Sequence, residues 1–238
     1  MKKILMIAAA AAVFVSKSLF INEGLPICKY EGIIMSQFDE SQAAGIAERL
    51  GGYPCFVKPA NLGSSVGVSK ASNEKELICG IYEAGKFDRR VIVEEGMNIR
   101  EVETAVIGND EPIAAVVGEI IPSAEFYDYT AKYFDGGQSK LIIPADLPKE
   151  TSEKIREYAV RAYKTLDCAG FARVDFFVTK DTGEIYINEI NTIPGFTKFS
   201  MFSALFKAAG IDYPHVIERI VDYGYERYNI KNSRKTNI

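Results

Sequence analysis

The chain has 238 residues, 47% hydrophobic and 25% charged, a globular composition sufficient for one large domain or two small ones. Its net charge of −4 supplies no strongly basic surface for nucleic acid, and one histidine, His215, leaves no material for a histidine-based triad or histidine-rich metal site. Cys28, Cys55, Cys79 and Cys168 lack metal-ligand spacing; cysteines scattered in this way point to a reducing, cytoplasmic compartment.

At the N-terminus, Lys2-Lys3 and the apolar run Ile4–Val15 have the outline of a signal peptide, too short to span a membrane. Val13-Phe14-Val15 occupy the place of a small-residue cleavage region, so an alanine-rich helix packed on a core is the other reading. A helix is predicted over Phe14–Glu23, ending at Gly24, and a strand from Pro26. Ser41–Leu50 reads as a helix closed by Gly51-Gly52, and Tyr53–Lys58 as a short buried strand.

Lys58-Pro59 then leads into Gly63-Ser64-Ser65-Val66-Gly67. Small residues let backbone N–H groups approach phosphate oxygens, and the lysine adds charge; a plain flexible turn is the alternative, since Gly-Lys-Ser/Thr is absent. Asn73 with Glu76 caps a helix reaching about Gly85, and Arg90–Glu94 is a strand. Glu94-Glu95 at its end, with Glu101 beyond a short loop, could accept hydrogen bonds from an adenine amino group or ribose hydroxyl, or form a solvated acidic loop.

Glu101–Gly108 and Ile113–Ile121 read as antiparallel strands. Glu125–Tyr133 concentrates tyrosines with Lys132, as suits either a water-excluding lid or an aromatic loop packed on the domain. Lys149–Leu166 is an amphipathic helix with Ile155, Ala159, Ala162, Tyr163 and Leu166 on one stripe.

Arg173–Phe177 and Ile187–Asn191 form a hairpin about Asp181-Thr182-Gly183. Strict alternation puts Arg173, Asp175 and Phe177 on one face, and Ile187, Glu189 and Asn191 together on one face. Symmetry about Thr182 sets Asp175 opposite Glu189 and Arg173 opposite Asn191, with Cβ atoms about 5 Å apart. Two carboxylates so close need a cation; oxygen donors suit Mg²⁺ with phosphate, which Arg173 could grip in a fork. A surface ladder of charge pairs is the alternative. Pro194-Gly195 next forces a turn aiming backbone N–H groups and Ser200 towards the metal strand, and two short helices follow. The pattern is mixed α+β with antiparallel pairs rather than a βαβ series, and a composition shift near Met97–Arg100 divides 1–97 from 98–230, leaving 231–238 a polar tail.

KPANLGSSVG (Lys58–Gly67), EFYDYTAKY (Glu125–Tyr133), ARVDFF (Ala172–Phe177) and NEINTIPGFT (Asn188–Thr197) together closely resemble the D-alanine–D-alanine ligases of the ATP-grasp superfamily, from about Val15 to Tyr223. The resemblance implies two α+β lobes sandwiching ATP, with Lys58 and Lys132 on its phosphates, Glu94 on the adenine side, Glu101 on the ribose, and further nucleotide contacts at Ser65, Glu95 and Met97. Asp175, Glu189 and Asn191 match the ligands of two Mg²⁺ ions, for which Mn²⁺ is a substitute. Arg173 and the Gly195 N–H match the groups that stabilise the tetrahedral intermediate. Ser64 and Tyr133 match a lid hydrogen-bond chain, the tyrosine favouring D-alanine, while Ser200 and Met201 align with the pocket for the second substrate's carboxylate. The implied reaction joins D-alanines for peptidoglycan: one carboxylate takes the γ-phosphate of ATP, and the amine of the second D-alanine displaces phosphate from the acyl phosphate.

Family members begin with a domain of about a hundred residues that holds the first D-alanine and carries most dimer contacts; no match to it is found in this sequence. At the family's Met-Asp-Lys, whose lysine contacts ATP, this chain has Ala11, Ala12 and Val13. The resemblance assigns Ile4–Phe20 to the ligase helix and implies neither a membrane nor a nucleic-acid partner. A non-catalytic ATP-binding fragment and a D-alanine–D-serine ligase are the alternative readings.

Overall fold

The described residues of this computed structural model are 12–62, 66–121, 140–198 and 200–234, and the chain divides into two units. The first is built from Pro26–Asn98 with helix α1 (Ala12–Asn22), the second from Ile99–Ile121 and Leu141–Ile238 with the short stretch Glu23–Leu25. No described helix is long and apolar enough to cross a membrane. The stretch Ile4–Ala11 lies outside the described residues.

In the first unit, β1 (Tyr30–Ile34), α2 (Ala43–Arg49), β2 (Cys55–Pro59), β3 (Ser69–Ala71), α3 (Glu74–Gly85) and β4 (Arg90–Glu95) follow in turn. The strands form one antiparallel sheet in the order β1-β4-β2-β3. The strand at the start lacks the predicted residues Pro26–Lys29, because the ladder with β4 ends at the pair Tyr30–Glu94. Helix α2 also starts later than predicted, since Glu40–Gln42 form a 3-10 turn capped by Asp39.

The cap of α3 forms as predicted: the Asn73 side chain accepts from the Glu76 N–H at 3.0 Å, and the Glu76 carboxylate accepts from the Ser72 N–H at 2.8 Å. Leu77, Ile81 and Ala84 then lie on one stripe and pack with Ile46, Val57, Val91 and Val93 into a core. Alternation turns Ile92 and Glu94 of β4 to the opposite face, which α1 covers. There the Phe14 ring meets Tyr30 edge-on at 6.1 Å between centroids, and Arg90 stacks over it at 5.0 Å. A Cβ at Gly32 would collide with that ring, so the glycine permits the close approach of α1.

The second unit carries β5 (Ile99–Gly108), β6 (Ile113–Ile121), β7 (Lys140–Ile142), α4 (Lys149–Thr165), β8 (Gly170–Thr179), β9 (Ile185–Asn191), α5 (Met201–Ala208) and α6 (Tyr213–Ser233). Its sheet runs β7-β6-β5-β8-β9. Ile155, Ala159, Ala162 and Tyr163 of α4 are buried, as predicted, and the Tyr163 hydroxyl donates to the Gly108 carbonyl at 2.8 Å. On the other side Ala105 and Ile107 of β5 pack with Phe202, Leu205, Phe206 and Val216 of α5 and α6. Since Glu103 and Glu101 continue that same face, its apolar half is covered by helices and its other half carries carboxylates.

Helix α6 is 21 residues long, not short, and takes in Lys231–Ser233, where a polar tail is predicted. Asp212 caps it by accepting from the His215 N–H at 3.2 Å, and charged helix-forming residues continue it along solvent.

Candidate functional site

The hairpin pairs as its symmetry predicts at the critical positions, Arg173 with Asn191 and Asp175 with Glu189. Towards the turn the register shifts by one, so that Phe176 pairs with Ile187 and Phe177 with Tyr186. Ile187 therefore joins Phe176 in the core and does not share the face of Glu189 and Asn191, which corrects the strict alternation. The extra residue, Asn188, is a bulge that lets β9 fill the core near the turn and still present its polar side chains farther along.

On that polar face Arg173 Nε and Nη2 donate to the two oxygens of Asp175, both at 2.7 Å. Nε also lies 3.0 Å from Oε2 of Glu103, a residue of β5 directly opposite Asp175. The Asn191 amide donates to Asp175 at 3.0 Å and to Glu189 at 3.1 Å. Burial works against the Arg173 charge, but Asp175 and then Glu103 and Glu189 outweigh it and raise its pKa above the usual arginine value.

With all groups ionised, Asp175, Glu189 and Glu103 carry one negative charge more than a divalent cation needs, and Arg173 neutralises that one. Among the described residues no group of three or more His, Cys, Asp or Glu side chains is arranged to hold a metal. The donors here are instead two carboxylates and the Asn191 amide, which fit a hard divalent cation in kind and in charge once Arg173 releases Asp175. Glu103 was missed by sequence reasoning; its signal was the alternation Glu101-Val102-Glu103, which needs the β5–β8 pairing to acquire meaning.

A second constellation lies in the first unit. Glu94 Oε1 is 2.8 Å from Lys17 Nζ and 2.9 Å from Lys58 Nζ. Burial pushes the Glu94 carboxyl up, but Lys58 and Lys17 more than reverse this and hold it at about 2. Cys28, whose Sγ is 3.9 Å from Lys17 Nζ, is pushed up to about 11, chiefly by burial. Lys17 was missed by sequence reasoning; its signal was a lone charge in the apolar helix AVFVSKSLFIN.

The other predicted residues are spread more widely. Glu95 turns to the Lys29 N–H at 2.7 Å, and Met97 is half-buried beyond it. Glu101 sits on β5 opposite Phe177, on the face of Glu103. Ser200 Oγ, which accepts from the Thr197 N–H at 2.8 Å, lies beside Gly195. Met201 packs into the apolar core with Phe202 and Leu205. Ser64, Ser65, Lys132 and Tyr133 lie outside the described residues, as does the whole segment Glu125–Tyr133.

The chain is 54% identical over 226 residues to the D-alanine–D-alanine ligase of Ruminiclostridium cellulolyticum, a match covering 93% of this chain and 60% of that protein. It is 48% identical to the ligase of Bacillus cytotoxicus, covering 99% of this chain and 65% of the relative. The chain thus spans about three fifths of the length of the curated relatives it matches. Among solved structures it resembles the D-alanine-D-alanine ligase of Coxiella burnetii with a TM-score of 0.82 and 29% identity, covering 96% of this chain and 60% of that one. It resembles the VanG D-Ala:D-Ser ligase of Enterococcus faecalis with a TM-score of 0.80 and 38% identity, covering 92% of this chain and 63% of that one. A family model described as the D-ala D-ala ligase C-terminus matches residues 19–222, and the chain belongs to that family, with its ATP-grasp fold.

Proposed function

We propose that this chain carries the ATP- and Mg²⁺-handling part of an ATP-dependent ligation of two D-alanines, a step that supplies peptidoglycan precursor. The observation that carries this reading is the hairpin cluster, in which Asp175 and Glu189 meet at the Asn191 amide while Arg173 bridges Asp175 and Glu103. Lys58, Glu94, Glu95, Met97 and Glu101 take the nucleotide in this reading, joined by Ser65 and Lys132. Asp175, Glu189 and Asn191 hold Mg²⁺, which when bound offsets charge on the phosphates. Arg173 and the Gly195 N–H stabilise the oxyanion formed when the second amine attacks the acyl phosphate. Ser64 and Tyr133 close over the substrates, and Ser200 with Met201 borders the second substrate's carboxylate.

Membership of a family whose relatives are D-alanine–D-alanine ligases supports the assignment. Phosphate release from ATP by this chain, dependent on Mg²⁺ and on millimolar D-alanine, is the expected result. ATP–Mg²⁺ binding without any D-alanine-dependent release would instead make the chain a nucleotide-binding portion of the longer ligase. D-serine as second substrate is a further reading, favoured by the likeness to the VanG enzyme. Competition between D-alanine and D-serine for product formation separates the two.

A further inference from the structure

Helix α1 contains one charged residue, Lys17, and it is 1% exposed. A buried ammonium needs a fixed anion, and Lys17 has one in Glu94, itself 5% exposed. The same Glu94 oxygen is also approached by Lys58, whose side chain keeps 17% of its surface in solvent. Two ammonium groups on one carboxylate oxygen repel each other, so neither is held as strongly as it would be alone.

The two lysines differ in burial, Lys17 being 1% exposed against 17% for Lys58. Lys17 lies under the Tyr30 ring, 5.4 Å from its centroid, and beside Cys28, on a helix anchored by Phe14 and the buried Phe20. Lys58 stands near the end of β2, just before the Gly/Ser loop in sequence, with a side chain that is partly exposed. If Lys58 leaves, Glu94 keeps a one-to-one partner; if Lys17 were absent, Lys58 could leave only by stranding a buried carboxylate.

We propose that Lys17 is a positioning residue, the fixed counter-ion that keeps Glu94 ionised and in place so that Lys58 can turn from Glu94 to a nucleotide phosphate. This rests on the nucleotide-binding reading above. In this proposal the effect of Lys17 on the nucleotide passes through the freedom it gives Lys58.

Calorimetric titration of Mg-ATP into the whole chain tests this with four variants: Lys17→Met, Lys17→Arg, Glu94→Gln, and Lys17→Met combined with Glu94→Gln. Lys17→Met should weaken Mg-ATP binding about tenfold or more, and Lys17→Arg, which keeps the charge, should stay within about threefold of wild type. In the Glu94→Gln background the same Lys17→Met change should alter affinity by no more than about twofold, since no carboxylate is left to conscript Lys58. Equal losses in both backgrounds would make Lys17 a packing residue and overturn the proposal, as would Lys17→Met binding like wild type. If Lys17→Met does not fold by circular dichroism, the double variant should fold, because the buried carboxylate has gone with its partner. A double variant that is also unfolded overturns the proposal. A wild-type chain that binds no Mg-ATP overturns the nucleotide reading itself, and the proposal with it; wild-type binding alongside an unaffected Lys17→Met overturns the proposal alone.

Discussion

Arg173 holds Asp175 through two parallel hydrogen bonds of 2.7 Å, both side chains projecting from one face of a single strand. The fork satisfies the arginine but occupies both oxygens that a metal would use. Glu103, 3.0 Å from Nε, would give Arg173 a second anchor if Asp175 turned to a cation.

That arrangement predicts a metal-linked loss on mutation. Mg²⁺ should strengthen ATP binding by the wild-type chain, and Asp175→Asn, similar in shape but without the charge, should cut that Mg²⁺-dependent gain by about tenfold. Calorimetric titration of ATP with and without Mg²⁺ measures it. An unchanged gain in the variant would remove Asp175 from the metal site.

Glu94 makes acid stability a second test. Its carboxyl stands at about 2 in the fold against an ordinary 4.5, so it binds fewer protons folded than unfolded across that interval. The stabilisation is complete above about pH 4.5 and is lost as pH falls through about 2, and it is on the order of 3 kcal/mol. Urea midpoints taken from about pH 6 down to about pH 2 should fall steeply for wild type and less steeply for Glu94→Gln. Parallel acid limbs would show that the Lys17–Glu94–Lys58 cluster contributes nothing to acid stability.

The cap of α3 offers a test of local structure. Asn73→Ala removes the acceptor of the Glu76 N–H and should cost about 1 kcal/mol, read as a lower urea midpoint with an unchanged slope. No shift would mean that Glu76, which holds the Ser72 N–H at 2.8 Å, suffices alone.

Tyr163 is fully buried, and its hydroxyl serves the carbonyl of Gly108, a residue at φ +136°. Tyr163→Phe leaves that carbonyl without the bond and should cost about 1–2 kcal/mol by denaturant unfolding. Its ring packing persists, so native circular dichroism should be retained. Gly108→Ala should be worse, because a Cβ there would sit 2.7 Å from the Pro112 backbone in a conformation that L residues rarely adopt.

Much of this protein was legible as residues in order. Period-two alternation, with a turn ending in Gly183 at φ +73°, was enough to set Asp175 against Glu189 and Arg173 against Asn191. Asn73 with Glu76 marked the start of α3, and the stripe from Ile155 to Tyr163 marked the buried side of α4. These features are local, each settled within a few residues by periodicity, capping or turn geometry.

What stayed hidden depended on chain segments that meet across the fold. The bulge at Asn188 answers the demand of the core for Ile187 opposite Phe176, which no local pattern announces. Glu103 joins the hairpin because β5 pairs with β8, and Lys17 meets Glu94 because Phe14 of α1 seats against Gly32 of β1. The sequence by itself determined which groups one hairpin could bring together. Only the tertiary structure decided which distant charges complete each cluster, because a buried charge takes its partner from whatever the packing of other elements places within reach.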